Sequence, residues 1–187
     1  DISEIHLYKK SVRFSIKTCY RYSDKILYKE PYMLPRLKKY TKKPLHFIHN
    51  CVQIPISNKN NRDIDLIWAN RDVPMRNFSW IPQIVRELNS EINSAIIAGI
   101  NDPEKYESTA KVKFKKYIEL DDIFGRSAYF LLPAENSFGN FSLLESMSYG
   151  CIPIVTESEG IELLVKNGVN GFIAENNYKH YKELVAN

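Results

Sequence analysis

No run of 18 apolar residues occurs in the 187-residue chain, so no segment reads as a membrane-spanning helix. No charged, apolar and small-residue succession of the secretory type is visible near Asp1 either. Cysteine is scarce: Cys19, Cys51 and Cys151 are widely spaced and odd in number, with no C-x-x-C. That excludes a disulfide framework and leads us to expect reduced thiols in a cytosolic compartment. There is no G-x-G-x-x-G, so the dinucleotide fingerprint is excluded. No internal repeat or low-complexity tract is present. Metal-ligating clusters are lacking as well: His46 and His49, three apart, point to opposite faces of an extended strand and have no third ligand. No metal and no resident cofactor are expected.

What is present suits a soluble globular chain, 44% hydrophobic and 26% charged, with enough length for one core or one domain plus part of another. Charge is unevenly placed. Residues 1–43 hold 12 Lys/Arg against 4 Asp/Glu, while the whole chain is only +4, so the remainder is net acidic. A basic front end can attract nucleic acid, anionic lipid or phosphorylated ligands, or can simply be a solvated surface.

Short apolar runs alternate with helical patterns. The front reads as strand (26–28), helix (31–40, with Pro31 in its first turn) and strand (45–48). The polar segment 55–63 reads as a linker. Then come strand 65–69, a helix capped by Ser79, strand 94–99, strand 110–114, a short helix or turn at 121–127, and strand 128–133. A helix over 142–149 ends at Gly150, followed by strand 152–155, helix 160–167, Gly168 and strand 171–174. The wholly apolar "AYFLLP" is what a parallel strand covered on both faces requires. The alternation predicts an α/β fold, a parallel sheet flanked by helices through right-handed crossovers.

In such a sheet, ligands bind beyond the carboxyl ends of the strands. Three loops qualify: 70–77, 133–142 and 156–160. The first carries Arg71 and Arg76, two guanidiniums able to grip a diphosphate, or two surface arginines. The second carries Gly139 just before a helix start, where backbone N–H groups and the helix dipole favour an anion. Glu145 has two readings on pattern alone. Ser142-Leu-Leu-Glu145 matches the S-x-x-E capping box, and a carboxylate one turn into a helix aimed at the cleft can accept both hydroxyls of a ribose. Cys151, just after a helix-ending glycine, reads as a buried core residue, and Tyr20, Tyr22 and Tyr28 read as packing.

The string "LLPAENSFGNFSLLESMSYGCIPIVTESEGIELLVKNGVNGFI" resembles the donor-binding signature of glycosyltransferase family 4, retaining enzymes with two Rossmann-like lobes (the GT-B fold). Arg71 and Arg76 are similar to the family's G-R-L-x-x-x-K-G loop, with Arg in place of Lys. "YSDKILYKE…FIHNCVQIP" resembles the exit from the amino-terminal lobe. The resemblance covers the chain from about residue 20 onward. It implies one lobe of a GT-B fold, with residues 1–54 as a remnant of the acceptor lobe and crossover, and 55–187 as the Rossmann-like donor-binding lobe.

It further implies transfer of a sugar, with retention, from a UDP- or GDP-linked donor to a glycan or lipid-linked acceptor. Arg71 and Arg76 would bind the donor diphosphate and stabilise its departure; Glu145 would hold the ribose; Gly139, Asn140 and Ser142 would line the phosphate or sugar. Glu135 is the nearest match to the first motif glutamate, which contacts the donor sugar, although nine residues rather than seven separate it from Glu145. Glu162 is a weaker, shifted match. The chain is expected to be part of a larger enzyme, inactive alone, that works in the cytoplasm, where its basic front can hold it at the inner membrane face, and that does not bind nucleic acid. The alternatives are an epimerase acting on nucleotide sugars with the same fold, or a non-enzymatic basic module for anionic membrane or nucleic acid.

Overall fold

The computed structural model describes residues 9–55, 61–116, 120–135 and 137–187, which divide into two compact units, Asp1–Asn50 and Cys51–Asn187. Most of the linker expected at 55–63 lies outside the described residues.

In the first unit, α1 (Lys10–Tyr22) precedes a parallel pair, β1 (Ile26–Tyr28) and β2 (Leu45–Phe47), joined through the short α2 (Leu34–Leu37). The helix expected over 31–40 is broken. A 3-10 turn occupies Pro31–Met33, and α2 makes a single turn that ends in i→i+3 bonds from Lys39 to Arg36 and from Tyr40 to Leu37. Pro35, which has no N–H and confines the residue before it, explains the restart. Helix α1 carries four cations, Lys10, Arg13, Lys17 and Arg21, and no acid, and none of its residues is buried. Lys17, Tyr20 and Arg21 border a depression with Lys39, Tyr40, Lys42 and Lys43.

The second unit is a six-stranded, wholly parallel sheet: β3 (Ile64–Ala69), β4 (Ala95–Ala98), β5 (Val112–Lys115), β6 (Ser127–Leu132), β7 (Ile152–Thr156) and β8 (Phe172–Ala174). Their spatial order is β5-β4-β3-β6-β7-β8. The chain runs outward from β3 in one direction, then returns beside β3 and runs outward in the other. This is the doubly wound Rossmann-like order, and its switch point lies between β3 and β6. The period-2 alternation of the strands feeds two cores. Leu66, Trp68, Leu131 and Ile154 pack under α3 (Trp80–Glu87) and α6 (Tyr178–Ala186), while Ile67, Phe130, Leu132 and Val155 pack with Phe124 of α4 (Leu120–Arg126) and Leu143 of α5 (Phe141–Ser148).

Two polar anchors, one fully buried and one half-buried, hold the sheet in register. The Tyr181 hydroxyl, fully buried, donates to the Ile154 carbonyl at 2.7 Å and accepts from Leu132 N–H at 2.9 Å, pinning α6 across β6 and β7. Arg62, at the foot of β3, donates to the carbonyls of Tyr149 (2.8 Å), Phe124 (3.4 Å) and Ser127. Its guanidinium thus collects the carboxyl ends of α4 and α5, where the helix dipole favours a cation. Cys151 lies beside it, buried as expected, and burial pushes its thiol up to about 11, so it is inert as a nucleophile.

Two expectations from the sequence are corrected. Only Ile161–Leu163 of the helix predicted over 160–167 forms, as a 3-10 turn. Asn170 takes the backbone groups that a longer helix needs: its Oδ1 accepts from Lys166 N–H at 2.6 Å and its Nδ2 donates to the Leu164 carbonyl at 3.0 Å. Ser79 does precede α3 but makes no side-chain cap bond, because its backbone is already helical.

Candidate functional site

A cavity of about 480 Å3 opens at the carboxyl ends of β3, β4 and β5 and reaches the start of α5, across the switch point. Its floor is made of small residues, Ala69, Ala98 and Gly99, and its walls carry Asn70, Arg71, Arg76, Lys116, Gly139, Asn140, Phe141 and Ser142. Of the residues nominated from the sequence, five are therefore brought together: Arg71, Arg76, Gly139, Asn140 and Ser142.

Local geometry explains each placement. Beyond β3 the chain turns sharply. Asn70 Oδ1 accepts from Arg71 N–H at 3.1 Å, and Pro74 opens a 3-10 turn, Pro74–Arg76, that ends at Asn77 in the left-handed region (φ 46°). This presents Arg71, exposed, and Arg76, half-buried, on one rim. Glu135 N–H donates to the Met75 carbonyl at 3.0 Å, tying the loop after β6 to that turn. On the other side, Ser137 N–H donates to Ser158 Oγ at 3.1 Å, so all three loops expected at the sheet's carboxyl edge are joined. Burial lowers the Arg76 guanidinium from its usual value and the Arg71 charge beside it lowers it further. Two cations held this close are relieved by an anion between or beside them.

The opposite wall is the amino end of α5. Gly139 adopts φ 70°, which glycine takes without strain, and Asn140 is the N-cap: its Oδ1 accepts from Leu143 N–H at 3.0 Å. This overturns the capping box read at Ser142 and Glu145. The helix begins one residue earlier than expected, Ser142 is already inside its first turn, and Asn140 fills the cap. The Asn140 side-chain oxygen is thus taken up by the cap. Glu145 has lost its structural explanation as the box partner. It is half-buried on α5, one turn beyond Ser142 and outside the cavity's lining, and its carbonyl accepts from Tyr149 N–H. Glu135 is exposed and also outside the lining, as is the weaker candidate Glu162.

The sequence reading missed Asn70, Gly99 and Lys116. Gly99 carries the one visible signal, a glycine closing an apolar strand. Its φ is 89°, and a Cβ there would lie 1.9 Å from the Asn70 carbonyl oxygen, so the floor exists only because residue 99 has no side chain. Gly99 N–H donates to the Lys115 carbonyl at 3.1 Å, which locks the ends of β4 and β5 together below Lys116. The Asn70 Nδ2 is buried with no hydrogen-bond partner among the described residues. Of the charged side chains lining the cavity, all three are cationic.

Chemically, then, the site is a donor-rich, cationic slot ended by a helix N-terminus, suited to a ligand with at least two phosphate groups. No curated protein matches the chain in sequence. Solved structures share its fold. A point mutant of S. aureus TarM in complex with Fondaparinux, alpha-GlcNAc-glycerol and UDP aligns with a TM-score of 0.75 at 16% identity, covering 96% of this chain and 40% of that one. Anabaena HepE in complex with UDP and glucose aligns at 0.73 and 14% identity, covering 99% of this chain and 59% of that one. The catalytic domain of Starch Synthase IV from Arabidopsis thaliana bound to ADP and acarbose aligns at 0.68 and 14% identity, covering 90% and 48%. The chain thus spans between 40% and 59% of the length of these proteins, and at such identities the likeness is one of fold, the Rossmann-like sheet of GT-B glycosyltransferases. Residues 52–187 match the family model described as "Glycosyl transferases group 1", and the chain belongs to that family.

Proposed function

We propose that this chain is the donor-binding lobe, with part of the acceptor lobe, of a retaining glycosyltransferase of family 4. It would pass a sugar from a UDP- or GDP-linked donor to a glycan or lipid-linked acceptor. The observation that carries the reading is the cavity at the switch point, where Arg71 and Arg76 stand on one rim and the amino end of α5 on the other. A nucleotide diphosphate laid between them meets two guanidiniums and a helix dipole. These are fixed charges that stabilise the leaving diphosphate as the glycosidic bond breaks and the sugar becomes oxocarbenium-like. Arg71 and Arg76 serve the diphosphate, backbone groups of Gly139 and Asn140 with Ser142 line its other side, Glu145 holds the ribose, and Glu135 contacts the transferred sugar. The first unit belongs to the acceptor lobe, and the chain by itself binds donor without turning it over.

Glu145 supplies the discriminating test, because Asn140 rather than Glu145 secures the start of the helix. Glu145→Ala is expected to change Tm by less than about 2 °C while removing most of the thermal shift produced by the best-binding UDP- or GDP-sugar. An undiminished shift with a lower Tm would make Glu145 structural and remove it from the site.

The basic depression of the first unit, with Lys17, Arg21, Lys39, Lys42 and Lys43 around it, supports a further part of the proposal: association with an anionic membrane face at the cytoplasmic side. Co-sedimentation with phosphatidylglycerol vesicles, falling steeply with salt, is the expected result. Equal binding to neutral vesicles would contradict it, and salt-dependent binding to nucleic acid by a chain indifferent to nucleotide sugars would favour the non-enzymatic reading instead.

A further inference from the structure

The cavity offers its ligand hydrogen-bond donors. Arg71, Arg76 and Lys116 can only donate. Its two side-chain amide oxygens are already engaged, Asn70 Oδ1 by Arg71 N–H and Asn140 Oδ1 by Leu143 N–H, while the buried Asn70 Nδ2 still has a hydrogen to give. The Lys115 carbonyl below Lys116 accepts from Gly99 N–H at 3.1 Å and Ile100 N–H at 3.4 Å. Ser142 Oγ can give or take a hydrogen bond, but the three cations and the buried amide hydrogen of Asn70 call for acceptors at both ends of the slot.

The cations are also divided between those ends. The arginines and the amino end of α5 flank the switch point between β3 and β6, whereas Lys116 follows β5, two strands away, which is about 10 Å at the usual strand spacing. A diphosphate clasped at the switch point, with its sugar toward the loop of Glu135 on the β6 side, leaves the nucleoside pointing along the ends of β4 and β5. Lys116 stands there. The nearby carboxylate of Asp102 is held by Lys105 at 2.5 Å, with Lys116 only a lesser influence on it.

We infer that Lys116 reads the base of the donor nucleotide, donating to the carbonyl-bearing edge of uracil or guanine and disfavouring the amino-bearing edge of adenine or cytosine. The inference rests on the nucleotide-sugar reading of this same cavity. Its physical basis is that an ammonium has three donors and no acceptor: it bonds O4 of uracil or O6 of guanine and meets the exocyclic amine of adenine or cytosine as donor against donor. Related folds accommodate both uridine and adenosine nucleotides, as the complexes with UDP and with ADP show for those proteins, so the choice is a property of residues rather than of the fold.

The test is calorimetric titration of the 187-residue chain with UDP, GDP, ADP, CDP and pyrophosphate, repeated on Lys116→Met. In the unaltered chain UDP or GDP is expected to bind roughly tenfold more tightly than ADP and CDP. Lys116→Met should weaken the preferred nucleotide by roughly tenfold and leave ADP, CDP and pyrophosphate within about threefold, which also shows that the variant is folded. ADP or CDP binding as tightly as the better of UDP and GDP would overturn the inference. So would a loss in Lys116→Met shared by all four nucleotides and pyrophosphate, since that is the mark of a phosphate contact. If the unaltered chain binds none of the five, the nucleotide reading of the cavity falls together with it.

Discussion

Gly99→Ala is expected to lower Tm by roughly 6–12 °C and to abolish nucleotide binding. Two costs add at this position. At φ 89° an L side chain is strained, and the new Cβ would sit 1.9 Å from the Asn70 carbonyl oxygen and 2.8 Å from its carbon. Backbone atoms at the end of β3 cannot rotate aside as a side chain would. Strain and overpacking together come to about 3 kcal/mol, and each kcal/mol is worth roughly 2–4 °C in a chain of this size. Relief of the clash requires the ends of β3 and β4 to part, which moves Asn70 and Arg71 and deforms the cavity floor. Gly168→Ala is the matched control. It has φ 73° but nothing within 4 Å of the added Cβ, so it bears the strain alone, about 1 kcal/mol, far from the cavity. Thermal melts of both variants with a nucleotide titration would decide the matter. Equal losses of Tm, or intact binding by Gly99→Ala, would show that the close approach at position 99 does not build the site.

Arg76→Ala is expected to weaken binding of a nucleoside diphosphate by roughly 10- to 100-fold, the range of a charge-assisted hydrogen bond worth about 1.5–3 kcal/mol. Folding should suffer little. The pKa of Arg76 is lowered in the folded protein, by burial first and by Arg71 second, so folding disfavours its charged form, which offsets part of what its other contacts contribute. A fall in Tm of less than about 2 °C is expected. Arg76→Lys restores charge without the planar fork and should recover only part of the affinity. Calorimetry on the three proteins checks this, and unchanged affinity in Arg76→Ala would place the diphosphate elsewhere.

Strands β3, β4, β6 and β7 were legible because a parallel strand buried on both faces reads as an uninterrupted apolar run, and "DLIWA", "SAIIA", "AYFLL" and "IPIV" do so. The rim arginines and Gly139 were legible because each lies just past such a run, where the topology puts ligands whatever the strand order. Lys116 and Asn70 were not, since their meeting depends on β4 and β5 lying on one side of β3 and β6 on the other. Spacing along the chain carries no trace of that order. The capping box failed for a local reason: Asn140 and Ser142 both suit an N-cap, and the residue whose oxygen reaches Leu143 N–H takes the position. Helix α1 has no counterpart in the sequence pattern because its apolar positions are separated by Lys and Arg and it buries none of them.

The central claim is that a single slot across the switch point, running from Lys116 past Arg71 and Arg76 to the start of α5, holds the nucleotide of an activated sugar. Amide chemical-shift mapping of the labelled 187-residue chain during titration with UDP and GDP tests it most directly. The expected footprint comprises residues 70–76, Gly99, Lys116 and 139–145, saturating together at one affinity. Shifts confined to the basic first unit, or split between separate saturating sites, would contradict it.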